Sequence, residues 1–72
     1  MQKQNIIGEN VTRLREKRGL SKAELARKAG IARSTLCRIE GPESQARPAV
    51  LLAIADALGV RIAALFSEGA AS

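Results

Sequence analysis

Seventy-two residues make one small domain, a length that buries about 60% of the surface its unfolded chain exposes and leaves no room for a second core. Phe66 is the single aromatic residue, and one cysteine with no histidine excludes an internal disulfide and any ordinary zinc or haem site. The net charge of +5 is unevenly spread: Val11 to Glu40 carries nine basic residues against three acidic ones, whereas from Pro48 onward a single Arg stands against Asp56 and Glu68. A basic half and a near-neutral half point to a polyanion-facing side and a packing or partner side.

The apolar residues are almost all aliphatic and strand-favouring types are sparse, so helices are expected. From Asn5 to Lys17, Ile7, Val11 and Leu14 recur at helical spacing, and Gly19 followed by Leu20 reads as a left-handed C-terminal cap with its apolar follower. "LSKAEL" then carries two start signals: Ser21 and Glu24 form a capping box, and Leu20 and Leu25 take the positions of a hydrophobic staple. The second helix is predicted over Lys22 to Ala29, stopping at Gly30. After a tight turn the third runs from Arg33 to Glu40 and is ended by Gly41-Pro42. "PESQARP" has loop composition, and Pro48 restarts the chain into an apolar run, Val50 to Leu58, ended by Gly59. With Asp56 its one plainly polar residue, that fourth helix is apolar on most sides and is expected to be buried in the core as the central packing element. "RIAALFSE" reads as a short fifth helix before a frayed "GAAS" tail.

The third helix divides cleanly. At roughly 100° per residue, with Arg33 at zero, Cys37 falls near 40°, Ser34 near 100° and Arg38 near 140°. Ala32, Leu36 and Ile39 lie on the opposite side. An aliphatic face pins the helix to a core, with Leu25 and Ala26 of the second helix as further core candidates, and two guanidinium groups with a hydroxyl and a thiol face outward. Two helices joined by a short turn containing Gly is the arrangement in which the second can enter the DNA major groove. Arginine's planar fork matches the O6 and N7 acceptors of guanine.

"IGENVTRLREKRGLSKAELARKAGIARSTLCRIE" together with "RPAVLLAIADALGV" resembles the Cro/Xre-type helix-turn-helix family of phage and bacterial transcriptional regulators, over roughly residues 6 to 67. The resemblance implies an all-α, compact five-helix bundle of the lambda repressor-like kind, binding operator DNA as a two-fold dimer. It implies base reading by Arg33, Ser34, Cys37 and Arg38, and phosphate contacts by Lys22, Thr35, Ser44, Gln45 and Arg47. Arg15 and Glu40 match the family's ion pair between the first helix and the end of the third. Ile62, Leu65 and Phe66, in the near-neutral C-terminal part, are the expected dimer interface, with some of them also serving the core. One departure stands out: the residue opening the recognition helix, often Ser or Thr in the family, is Ala32, which cannot cap and forfeits roughly 1 kcal/mol.

Catalysis is not expected: there is no His, no serine with a plausible base and no Gly-rich phosphate loop, and no cofactor is implied. No stretch approaches the roughly 18 apolar residues of a membrane span, and the reading is of a cytoplasmic, DNA-bound protein with no membrane partner. The competing class is a protein-interaction module, such as an antitoxin or phage adaptor, that binds a protein partner and autoregulates its own promoter.

Overall fold

The structure, a computed structural model, describes residues 6–41 and 46–67. Four α-helices, α1 (Ile6–Lys17), α2 (Lys22–Ala29), α3 (Arg33–Glu40) and α4 (Pro48–Leu58), are followed by a 3-10 turn, Ile62–Leu65, with no strand among the described residues. α4 packs chiefly on α2, α1 packs on α3 and on the 3-10 turn, and α2 and α3 pack on each other.

Local chemistry sets these boundaries. The Ser21 hydroxyl accepts from the Glu24 backbone N–H at 3.1 Å, and the Glu24 carboxylate accepts from the Ser21 N–H at 2.8 Å, so the first turn of α2 has two of its free donors satisfied. At its other end Gly30 takes the left-handed conformation (φ 71°), which lets the Ile31 N–H return to the Ala26 carbonyl at 2.9 Å. Gly59 (φ 73°) repeats the motif after α4, with Val60 bonded to Ala55 at 3.0 Å. Ile31 and Val60, the apolar residues after these glycines, pack against the core, so each turn also fixes where the next element begins. Pro48 sits in the first turn of α4, where its missing N–H costs nothing.

Every helix sends side chains to one core: Val11 from α1, Leu25 from α2, Leu36 and Ile39 from α3, Ile54 and Leu58 from α4, with Leu65 from the 3-10 turn. Each contributes roughly 1.5–3 kcal/mol by leaving water. Two expectations need correction. α4 is not buried all round. Leu51, Ile54, Ala55 and Leu58 face the core, but Ala49, Leu52 and Asp56 are exposed, Leu52 by 53%. The fifth helix is a single 3-10 turn, with Ala64 bonded to Arg61 and Phe66 to Ala63. The Leu65 carbonyl at the end of this turn accepts the Asn10 side-chain amide at 2.8 Å.

Candidate nucleic-acid interface

Three residues, Gly30 to Ala32, separate α2 from α3, and the left-handed Gly30 makes so short a turn possible. Leu36 and Ile39 are buried under α3. That fixes its rotation and leaves Arg33, Ser34, Cys37 and Arg38 exposed along one arc. Among the described residues neither Arg33 nor Arg38 takes part in an ion pair or a side-chain hydrogen bond, so both forks are available to an incoming acceptor. Thr35 is half-buried beside this arc. Lys22, half-buried, opens α2, and Arg47, exposed, precedes α4 as its N-cap residue. Ser44 and Gln45 lie outside the described residues.

The N-terminus of α3 is uncapped. Ala32 has the extended backbone of an N-cap residue (φ −72°, ψ 147°) with no side-chain bond to the helix, so the first-turn N–H groups of α3 are directed outward beside Arg33 and Ser34. With the helix dipole, these donors add to the positive character of that end.

The far end of α3 is tied down by a polar cluster. Arg15 Nε donates to Glu40 Oε2 at 2.9 Å and Arg15 Nη2 to Glu40 Oε1 at 3.2 Å, a bidentate pair whose side chains are 11% and 4% exposed. Arg15 Nη1 donates to the Leu20 carbonyl at 2.9 Å, while the Leu20 N–H donates back to the Arg15 carbonyl at 3.1 Å. The Thr12 hydroxyl donates to Glu40 Oε1 at 2.8 Å. The only acidic residue of α3 is thus neutralised and turned toward α1, which keeps the outer face of the helix positive. Glu24, the acid of α2, is folded back onto Ser21, whose backbone N–H and hydroxyl hold its carboxyl below the usual carboxylate range.

Sequence reasoning missed Thr12 and Asn10. Asn10 lies on the apolar stripe of α1, three residues after Ile7 and four before Leu14, and a polar residue on a buried stripe is a signal that it has a built partner. Its amide Nδ2 donates to the carbonyls of Leu65 (2.8 Å) and Ser67 (3.1 Å), and its Oδ1 accepts from Arg13 Nη2 at 2.8 Å. Of the three expected interface residues, Ile62 is half-buried and Phe66 is 51% exposed, but Leu65 is fully enclosed and serves the core.

A family model described as a helix-turn-helix domain matches residues 6–65. The chain belongs to the Cro/Xre-type helix-turn-helix family. Members of this family are DNA-binding regulators rather than enzymes. This helix-turn-helix chain is 34% identical over 62 residues to the immunity repressor protein of Bacillus phage phi105, covering 86% of its own length and 43% of that protein's. It therefore spans less than half of that relative. Its fold is similar to the N-terminal DNA binding domain of SinR from Bacillus subtilis, with a TM-score of 0.85 and 31% identity, covering 93% of this chain and 99% of that one. Among the described residues no helix is long and apolar enough to cross a membrane, and no cluster of His, Cys, Asp or Glu could hold a metal ion.

Proposed function

We propose that this domain reads double-stranded DNA in the major groove through α3 and serves as the DNA-binding part of a transcriptional regulator acting as a dimeric repressor. The observation that carries the reading is the division of α3: Leu36 and Ile39 are locked in the core while Arg33, Ser34, Cys37 and Arg38 stand free on the outer arc. In this reading Arg33 and Arg38 donate to guanine edges, Ser34 bonds a base or phosphate, and Cys37 packs on a thymine methyl or a sugar. Lys22, Thr35 and Arg47, with Ser44 and Gln45, take backbone phosphates and fix the register. The uncapped first turn of α3 offers N–H donors to the same backbone.

Two copies would place their recognition helices in successive major grooves about one turn, ~34 Å, apart on a near-palindromic operator. The C-terminal part, with Ile62 and Phe66, is the expected meeting side. Occluding a promoter is the expected output.

Replacing Arg33 or Arg38 with Ala is expected to cost about 1–3 kcal/mol of binding and to relax preference at one half-site position. A loss that is equal on all sequences assigns that arginine to phosphate instead. The exposed Leu52 and Phe66 favour a second reading, in which the main partner is a protein, as in an antitoxin or adaptor. Salt titration separates the two. DNA binding through several Lys and Arg contacts loses orders of magnitude between about 50 and 200 mM salt, whereas a shallow slope on the best DNA site supports the protein-partner reading.

A further inference from the structure

Leu36 and Ile39 decide which way α3 faces, but apolar contact is non-directional. A side chain that reads a base edge has to be held within about 0.5 Å and 10–20° of its productive place. At the end of α3 that carries Arg38, this finer setting falls to the directional bonds at Glu40, two residues further on. Those bonds come from Thr12 and Arg15, which stand at i and i+3 on α1 and so share one of its faces. The two residues work differently. Arg15 reaches Glu40 through a long side chain with several soft torsions, and it supplies the charge that keeps the carboxylate paired. Thr12 reaches it through one stiff χ1 torsion, so its hydroxyl is placed by the α1 backbone itself. A helical threonine can turn its hydroxyl back on the carbonyl one turn earlier. Thr12 instead donates its proton to Glu40 Oε1, 28 residues away, at 2.8 Å, the usual length for an O–H···O bond. Arg15 Nη2 holds the same oxygen at 3.2 Å, the long end of the range for N–H···O.

We propose that Thr12 is a positioning residue for DNA reading: its hydroxyl fixes the Glu40 end of α3 and thereby sets Arg38, but not Arg33, against its base. Arg33 lies at the other end of the helix, seven residues before Glu40 and next to the turn at Gly30. When the Thr12 hydroxyl is removed, Glu40 keeps both Arg15 bonds, so the carboxylate stays paired and the helix stays formed. What is lost is the angular setting of one arginine fork. Phosphate contacts tolerate a loosened helix, because charge attraction to the backbone carries no sequence information and little direction, whereas a bidentate bond to a base edge does not. The loss therefore falls on sequence discrimination rather than on affinity as a whole.

The inference rests on the reading of α3 as the recognition helix, and the experiment separates the two. Affinity of the full 72-residue chain is measured at one salt concentration for two duplexes. One carries the site most enriched by the wild type from a random pool, and the other is the same duplex with that site scrambled. The readout is the ratio of the two affinities, which partial unfolding leaves unchanged because it scales both alike. Thr12→Val keeps the branched shape without the hydroxyl and is expected to lower the ratio about fivefold or more, the lower end of what one well-placed bidentate arginine contributes. Thr12→Ala, which crowds nothing, carries the same expectation, and Thr12→Ser, which keeps the hydroxyl, is expected to restore most of the ratio. In an Arg38→Ala background Thr12→Val is expected to change it by less than about twofold, and in an Arg33→Ala background to act in full. A Thr12→Val ratio equal to that of the wild type overturns the proposal, because Arg15 alone then positions the helix. So does a Thr12→Ser protein no better than Thr12→Val, which assigns the effect to packing, and so does an equal effect in both arginine backgrounds. A wild type that enriches no site, or binds both duplexes alike, overturns the DNA reading and this inference with it; a discriminating wild type beside an equally discriminating Thr12→Val overturns this inference alone.

Discussion

Glu40 is the most informative residue to remove. Its carboxylate, 4% exposed, is the acceptor for two Arg15 nitrogens and the Thr12 hydroxyl, and Arg15 itself is 11% exposed. Glu40→Ala leaves a guanidinium in a nearly closed site with the Leu20 carbonyl and, at 3.9 Å, the mostly exposed Glu16 as its remaining partners. Breaking a buried pair from one side costs about 3–5 kcal/mol, and the residual exposure of Arg15 puts the expected loss near 3 kcal/mol. At about 0.05–0.15 kcal/mol per residue, a 72-residue domain has roughly 4–11 kcal/mol in all, so this one change removes a large share. In a domain of this size about 3 kcal/mol lowers Tm by about 12–24 °C. Removing both partners with apolar replacements, Arg15→Met with Glu40→Leu, leaves no buried charge and is expected to recover at least half of the loss. Urea denaturation of the wild type, the single variants and the pair measures all of these quantities. A Glu40→Ala cost below about 1 kcal/mol, the range of exposed pairs, would refute the argument, because the cluster would then be solvated and could not orient α3.

Three further outcomes follow from individual contacts. Ala32→Ser supplies the missing cap to a backbone already in cap geometry and is expected to raise stability by about 1 kcal/mol in thermal melts, with no gain indicating that other groups already satisfy the first turn of α3. Asn10→Ala frees the carbonyls of Leu65 and Ser67 and is expected to cost about 1–3 kcal/mol, with hydrogen exchange rising first in the 3-10 turn. The Glu24 carboxyl is held below the usual carboxylate range by its bonds to Ser21. The stability this adds is present above that range and is lost as pH falls through the lowered folded value, so acidification is expected to lower the melting temperature of the wild type more than that of Glu24→Gln. Parallel pH curves for the two proteins would remove the reciprocal cap from the account.

The features legible in the sequence are the ones written locally. Ser21 and Glu24 lie three residues apart, and Gly30 and Gly59 are each followed by the apolar residue that docks after them, so the bounds of α2 and the ends of α2 and α4 were readable without tertiary information. The outward arc of α3 was readable because Leu36 and Ile39 leave it one way to face. Thr12 was not, since its partner lies 28 residues away and nothing local marks it, and Asn10, though marked by its place on the apolar stripe of α1, does not disclose the carbonyls 55–57 residues away that it serves. The exposed side of α4 was hidden for a different reason: a helix apolar on two faces has the same composition as one buried on all of them. The 3-10 turn after Arg61 is held by an Asn10 amide from the other end of the chain, a contact that local sequence does not show.

The central claim is that α3 reads DNA sequence through Arg33 and Arg38. Selection of bound sequences by the 72-residue chain from a random double-stranded DNA pool tests it most directly. The account predicts enriched sites with guanines in two half-sites related by two-fold symmetry, with centres about 10–10.5 base pairs or a multiple apart, and loss of the guanine preference in the Arg33→Ala and Arg38→Ala variants. A pool that is not enriched, or an enriched site that both variants select unchanged, would contradict it.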